Sequence, residues 1–194
     1  MSLGGHHGAA QRCRAVLFSG HMIDAPGRKV PRFPPALEPR VADAIRAKLE
    51  EVSAGAEDVA ISGAACGSDI LFAEAASARG MPMRIYLPFE EPEFLERSVA
   101  FANSQWPERY RAVVARSQVS IAPRELGPLP PGAEAFERTN LWMLDEAQAM
   151  CRGRIVFISV WNGEEGDGPG GTQHMMDRVR EAGGTAHWID ISKL

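Results

Sequence analysis

Two glycines between an apolar run and an alanine-rich run are the residues best suited to holding a ligand. Residues 59–76 read VAISGAACGSDILFAEAA, with Gly63 and Gly67 four positions apart and Ser68 directly after the second. Glycines let the backbone turn tightly and approach a ligand without an intervening Cβ. The free N–H groups at the start of a helix favour an anion. The stretch therefore predicts a phosphate-binding loop, in which Ser68 caps the helix or donates to a phosphate oxygen.

The aspartate after Ser68 indicates that the ligand is more than a bare phosphate. Asp69 would repel a phosphate, so it either lies in the first helical turn for the helix dipole or accepts from sugar hydroxyls or a base edge. A structural alternative is that Gly63 only turns the chain while Ala64 packs the helix close to the sheet. The spacing fits neither G-x-G-x-x-G nor the P-loop pattern.

A second glycine-rich stretch supports the interpretation of the first as part of a ligand-binding site. Residues 161–172 read WNGEEGDGPGGT, after an apolar run and before a predicted helix. The residues we assign to the ligand from it are Gly168, Gly170, Gly171 and Thr172. A surface loop would also be rich in glycine and aspartate. Two such loops at one sheet edge favour a shared binding site.

The chain after the first apolar run contributes further candidates. Ser19 and Gly20 end that run and His21 follows directly. Arg28 or Arg32 could supply the bidentate charge that a phosphate needs, or could be solvated loop cations. His21 could donate to the ligand or cap local backbone.

The third quarter of the chain contains a long predicted helix with the segment ERTN. Arg138 and Asn140 in this segment could reach the same pocket or could form an exposed helix face. Cys66 would lie at a helix start that can lower a thiol pKa, but no base is suggested beside it, and we interpret it as a packing residue.

The elements that position these residues alternate along the chain. Continuous apolar runs predict strands at 14–20, 58–62, 83–87, 118–122, 154–161 and 185–191. Helical patterns occur at 37–52, 68–79, 91–101, 107–116, 133–151 and 170–182. The proline-containing segments 21–35 and 123–132 are predicted to be loops.

This alternation predicts an α/β protein, a Rossmann-like three-layer sandwich with a mostly parallel sheet. We expect residues 1–13 to be a flexible leader and residues 14–194 to form a single domain. In such folds ligands bind beyond the carboxyl ends of the strands. The candidate loops all follow strands, so we expect them to share one cavity.

Composition excludes several classes of function. The chain has 194 residues, 24% of them charged, and a formal net charge of −4, which argues against a nucleic-acid-binding face. No apolar run approaches the ~20 residues of a membrane span. The three cysteines, Cys13, Cys66 and Cys151, have no C-x-x-C spacing, so we expect neither a disulfide framework nor a zinc site, and a cytoplasmic location. We assign no metal ligand.

Together the segments LFSGHMIDAPGR, ISGAACGSDILFAEA, ERTNLW and WNGEEGDGPGGTQHM resemble the SLOG superfamily. This superfamily includes Smf/DprA-like proteins, LOG-type phosphoribohydrolases and molybdenum-cofactor-carrier-like proteins. The resemblance spans residues 14–191, and within the superfamily the chain is similar to bacterial SLOG domains of signalling systems. It implies a Rossmann-like domain that binds a nucleotide or nucleotide-derived ligand at the two glycine loops.

The chain departs from the LOG-type pattern P-G-G-x-G-T-x-x-E, whose glutamate takes part in N-glycosidic cleavage. Met175 stands three positions after Thr172, and methionine cannot act as an acid or base. We therefore expect a binding or sensing module for a nucleotide or nucleotide-derived ligand, such as a nucleotide sugar. The alternative is a hydrolase that cleaves a nucleotide or nucleotide sugar with Asp69, Asp167 or His21. No cofactor is assigned beyond the nucleotide-derived ligand, and a homodimer is left open.

Overall fold

A parallel sheet of six strands forms the centre of the protein. The computed structural model describes residues 13–103, 105–164 and 171–194. The strands are β1 (Ala15–Gly20), β2 (Val59–Ser62), β3 (Met83–Leu87), β4 (Gln118–Ile121), β5 (Ile155–Trp161) and β6 (Thr185–Asp190). Their order is β4-β3-β2-β1-β5-β6, and every neighbouring pair is parallel. The predicted α/β class and parallel sheet are confirmed.

Helices connect the strands and cover both faces of the sheet. They are α1 (Glu38–Glu51), α2 (Ser68–Ala78), α3 (Glu91–Ser98), α4 (Gln105–Val114), α5 (Ala122–Glu125), α6 (Ala135–Cys151) and α7 (Thr172–Glu181). The prediction that 123–132 is entirely loop was wrong at its start, because α5 extends to Glu125. Pro123 lies in the first turn of α5, where a missing N–H costs no helical hydrogen bond.

Two apolar cores lie on opposite faces of the sheet. Alternate β1 residues point to opposite sides, as the strand period requires: Phe18 belongs to one core and Leu17 to the other. The first core is packed by α1 and α2, with Phe18 stacked on Phe72 at 4.5 Å between ring centroids. The second contains buried residues of α6 and α7, including Met175. The result is a three-layer sandwich.

The strand order reverses at the centre of the sheet. β1 pairs with β2 on one side and with β5 on the other, with Gly20 aligned to Val160. The connections from β1 to β4 therefore proceed toward one edge, and β5 and β6 occupy the other side. The carboxyl ends of β1 and β5 flank a topological switch point, where doubly wound sheets bind their ligands.

A disulfide joins Cys13 to Cys151, which corrects the expectation that the cysteines form no disulfide framework. The two residues are 138 positions apart, and their Cα atoms are 5.4 Å apart. The disulfide forms because the end of α6 lies beside the start of β1. The spacing of the cysteines along the sequence does not indicate this proximity. Cys66 is a free, fully buried thiol whose pKa burial raises to about 12, which agrees with a packing role.

Among the described helices none has both the length and the apolar character needed to cross a membrane.

Candidate ligand-binding site

A cavity of about 530 Å³ opens beyond the carboxyl ends of the strands. Its volume falls within the range of about 300–1,000 Å³ common for small-molecule sites. Nine of the candidate residues line it: Ser19, Gly20, His21, Arg32, Gly63, Asp69, Asn140, Gly171 and Thr172. The segments after β1, β2 and β5 thus meet at one site, as expected from the parallel sheet.

Other predicted residues lie elsewhere. Ala64, Gly67, Ser68, Arg28 and Arg138 are not part of the described cavity wall. Gly168 and Gly170 lie outside the described residues, so Gly171 and Thr172 are the assigned residues of the second glycine loop that the structure describes.

Gly67 packs against a neighbouring loop, so protein fills the space that the sequence analysis assigned to a phosphate. It has φ +99°, and a Cβ added to it would lie 2.5 Å from the backbone N of Ile23. A β-bridge joins it to Met22, and both the backbone N and the Oγ of Ser68 donate to the carbonyl of His21. Because these donors are engaged by the 21–23 segment, the start of α2 is covered by protein at this point.

Gly63 makes room for the carboxylate of Asp69. A Cβ on Gly63 would lie 2.7 Å from Asp69 Oδ2, and this oxygen accepts from the backbone N of Ala65 at 3.3 Å. The glycine is therefore required by the protein's own carboxylate. Within the described part of the chain, the buried Oδ1 has no hydrogen-bond partner.

The environment of Asp69 raises the pKa of its carboxyl. Desolvation by burial raises the pKa of its carboxyl to about 7, and the nearby Ala65 and Gly20 amides lower it only in part. A carboxyl with this pKa exchanges its proton near neutral pH. Raised carboxyl pKa values in a cavity are common at ligand-binding and catalytic sites.

His21 is held by a residue that the sequence analysis did not identify. Its Nε2 lies 3.1 Å from Asn162 Oδ1, and the imidazole is buried, with 5% of the residue exposed. Asn162 Nδ2 donates to Glu164 Oε2, which orients the amide so that Oδ1 faces His21. His21 Nε2 therefore donates the hydrogen bond. The available signal was a polar residue directly after β5, the position expected for a residue at the ligand edge.

The two arginines proposed for the loop after β1 have different roles. Arg28 donates from Nε to the carbonyl of Val30 at 2.9 Å and pairs with Asp24 at 3.3 Å, so it stabilises the loop. Asp24 also accepts from the backbone N atoms of Arg32 and Phe33. Arg32, and not Arg28, lines the cavity.

One face of α6 forms a wall of the cavity and contributes Phe136, Asn140 and Met143 to it. These positions recur at the three- or four-residue spacing of one helix face. Arg138 lies off this face and donates to the carbonyl of Gly127 at 3.0 Å. Of the two candidates from the ERTN segment, Asn140 thus reaches the cavity and Arg138 does not, because Asn140 shares the cavity-facing stripe.

The start of α7 contributes backbone to the site. Gly171 is its N-cap, no described side chain caps its first turn, and Gly171 and Thr172 line the cavity. Such a helix start can receive an anion. Met175 is fully buried in the core beneath α6, so the position of the LOG-type glutamate faces away from the cavity in this chain.

Fold and site together define a doubly wound α/β protein with a ligand-sized cavity at its switch point. No model of a known protein family matches the chain, and no curated protein matches it significantly. Membership of the SLOG superfamily stays a prediction.

Proposed function

We propose that the protein binds a nucleotide or nucleotide-derived ligand in the cavity at the β1–β5 switch point. The observation that carries the proposal is the convergence of three unlike surfaces on one cavity. These are an apolar and aromatic wall, a polar centre around Asp69, and the helix start at Gly171. A nucleotide has the matching three parts: a planar base, a sugar with hydroxyl groups, and a phosphate.

The aromatic wall suits the base. Phe18, Tyr86, Phe94 and Phe136 line the cavity together with Met143. Base-to-aromatic stacking contributes about 1–3 kcal/mol per base in other proteins. Phe136 is the exposed ring among these, so it can offer a face to a planar base, whereas Phe18, Tyr86 and Phe94 form a buried apolar support behind the wall.

The polar groups suit a sugar and a single anionic group. The ionised Asp69 accepts hydrogen bonds, so it matches sugar hydroxyls better than phosphate oxygens. Glu134 and Glu137 also line the cavity, and the cation among the described lining residues is Arg32. We therefore place the phosphate at the start of α7, where Gly171 and Thr172 offer backbone N–H groups.

A thermal-shift and calorimetry panel tests the proposal with AMP, ADP-ribose, NAD and ribose 5-phosphate. A ligand at 100 times its Kd stabilises the folded state by about 2.7 kcal/mol. For a chain of this size we expect the midpoint to rise by about 5–10 °C. The absence of a shift with every nucleotide, at concentrations up to several millimolar, would contradict a nucleotide site.

A hydrolase acting on the same ligand is the second candidate, favoured by the pKa of about 7 at the Asp69 carboxyl. A general acid or base is most effective when its pKa is near the working pH. Asp69→Asn separates the candidates. In a binding module the parent releases no base, and the variant binds AMP about 10- to 100-fold more weakly because a charged acceptor is lost.

In a hydrolase the same variant would bind nearly as the parent does. Its turnover would fall by about two or more orders of magnitude, since an amide cannot transfer the proton. Base release is measured by chromatography and affinity by calorimetry on the same preparations. Steady release of adenine from AMP, abolished by Asp69→Asn, would falsify the binding-only function.

A further inference from the structure

Phe136 is unusual among the aromatic residues of the cavity wall. It lies in the first turn of α6 and is 42% exposed. The buried aromatic residues of the wall, Phe18, Tyr86 and Phe94, are 2% exposed or less. Since Phe136 both lines the cavity and remains in contact with solvent, it lies at the rim, where a ligand could cover it.

The ring of Phe136 is held in place although it is not buried. It packs against Phe89 with an interplanar angle of 85° and 5.5 Å between ring centroids. The guanidinium of Arg97 covers the ring of Phe89, with 4.2 Å from its Cζ to the centroid. This side support limits the motion of Phe136 before any ligand binds. A rigid aromatic ring loses little entropy on binding, which favours stacking.

The surroundings of Phe136 favour a flat ligand with polar edges. Asn140, one turn further along α6, lines the same wall and carries both donor and acceptor atoms. Met143 continues the stripe but is buried, at 2% exposed. A ring lying on Phe136 would thus have an amide beside its edge, an arrangement that suits the polar edge of a nucleobase.

We propose that Phe136 is the stacking platform for the base, and that the cavity selects purine derivatives over pyrimidine derivatives and sugar phosphates. This inference rests on the nucleotide-binding function proposed above. A purine has two fused rings and covers more of the exposed phenyl ring than a pyrimidine does. Ribose 5-phosphate has no base, so it gains nothing from Phe136.

Calorimetry of the parent, Phe136→Ala and Phe136→Trp with AMP, GMP, CMP and ribose 5-phosphate tests the inference. We expect the parent to bind both purine nucleotides more tightly than CMP. Phe136→Ala should weaken AMP about 10- to 100-fold, the range of base stacking on an aromatic ring. The affinity for ribose 5-phosphate should stay within about twofold of that of the parent, and Phe136→Trp should retain AMP binding.

Leu126→Ala is the matched control, because Leu126 is also an exposed apolar residue, at 39%, and is not part of the described wall. It should leave all four affinities unchanged. Unchanged AMP binding in Phe136→Ala would overturn the inference while leaving the nucleotide function standing, and equal tightness of CMP and AMP in the parent would overturn its purine selectivity. An equal loss for AMP and ribose 5-phosphate would assign Phe136 a structural role. A parent that binds none of the four ligands would refute the proposed function and this inference with it.

Discussion

His21 and Asn162 meet at 3.1 Å across the switch point although 141 positions separate them in the chain. The contact links the loop after β1 to the loop after β5, the two strands that flank the cavity. The imidazole is buried, so the hydrogen bond replaces the water that His21 would otherwise contact.

Removal of the Asn162 amide should destabilise the fold. Asn162→Ala leaves the buried Nε2–H of His21 without this acceptor, which typically costs about 1–3 kcal/mol. Urea unfolding measures the change. Gln118→Ala, at an exposed position on β4, is the control, and we expect a change there of less than about 1 kcal/mol. Equal effects of the two substitutions would show that the His21–Asn162 contact adds nothing to stability.

Asp69 should make stability depend on pH. The pKa of its carboxyl is about 7 in the folded protein and 3.8 is its ordinary value, so the unfolded chain loses the proton first. Stability is therefore full below about pH 4 and falls as the pH rises toward 7. Asp69→Asn removes this loss. The free energy of unfolding of the variant relative to the parent should therefore be at least about 1 kcal/mol higher at pH 8 than at pH 4.5.

Urea unfolding at the two pH values measures this relative gain. Gln118→Ala, which changes no ionisable side chain, should differ from the parent by the same amount at both pH values. If the difference in stability between Asp69→Asn and the parent is the same at both pH values, the carboxyl of Asp69 titrates as an ordinary aspartate.

Gly67→Ala should be strongly destabilising because two independent costs combine. The residue has φ +99°, and its new Cβ would lie 2.5 Å from the backbone N of Ile23. Gly27 has φ +78° with nothing within 4 Å of a new Cβ, so Gly27→Ala measures the cost of a positive φ without a steric clash, whereas Gly67 adds ψ −128° and the contact with Ile23. We expect about 1 kcal/mol for Gly27→Ala and more than about 2 kcal/mol for Gly67→Ala. Similar losses for both would mean that the 21–23 segment moves away without cost.

The disulfide can be tested by counting the reactive thiols of the chain. Under denaturing conditions without reductant, we expect one reactive thiol per chain, that of Cys66, and all three after reduction. A Cys66→Ser variant should show none before reduction. Reduction should lower the free energy of unfolding by about 2–5 kcal/mol, since the cross-link closes a long loop. Three thiols in the unreduced parent would contradict the Cys13–Cys151 pairing.

Local patterns were enough to predict the architecture. Continuous apolar runs alternating with amphipathic helices predicted the parallel sheet, because strands buried on both faces have no polar side. The glycine positions 63 and 171 and the polar residues His21 and Asp69 were located for a related reason. They follow strands, and the carboxyl ends of parallel strands share one edge.

The roles of individual side chains depended on contacts between distant segments. Gly67 looked like a ligand-contacting glycine, yet the backbone of the 21–23 segment occupies the space beside it. Phe136 was missed because one apolar residue on a helix does not reveal whether it faces a core, a cavity or solvent. Only the tertiary structure shows that β1 lies beside β5 and that Cys13 lies beside Cys151. Sequence spacing constrains neighbours along the chain, whereas packing of the sheet and its helices decides which distant side chains meet.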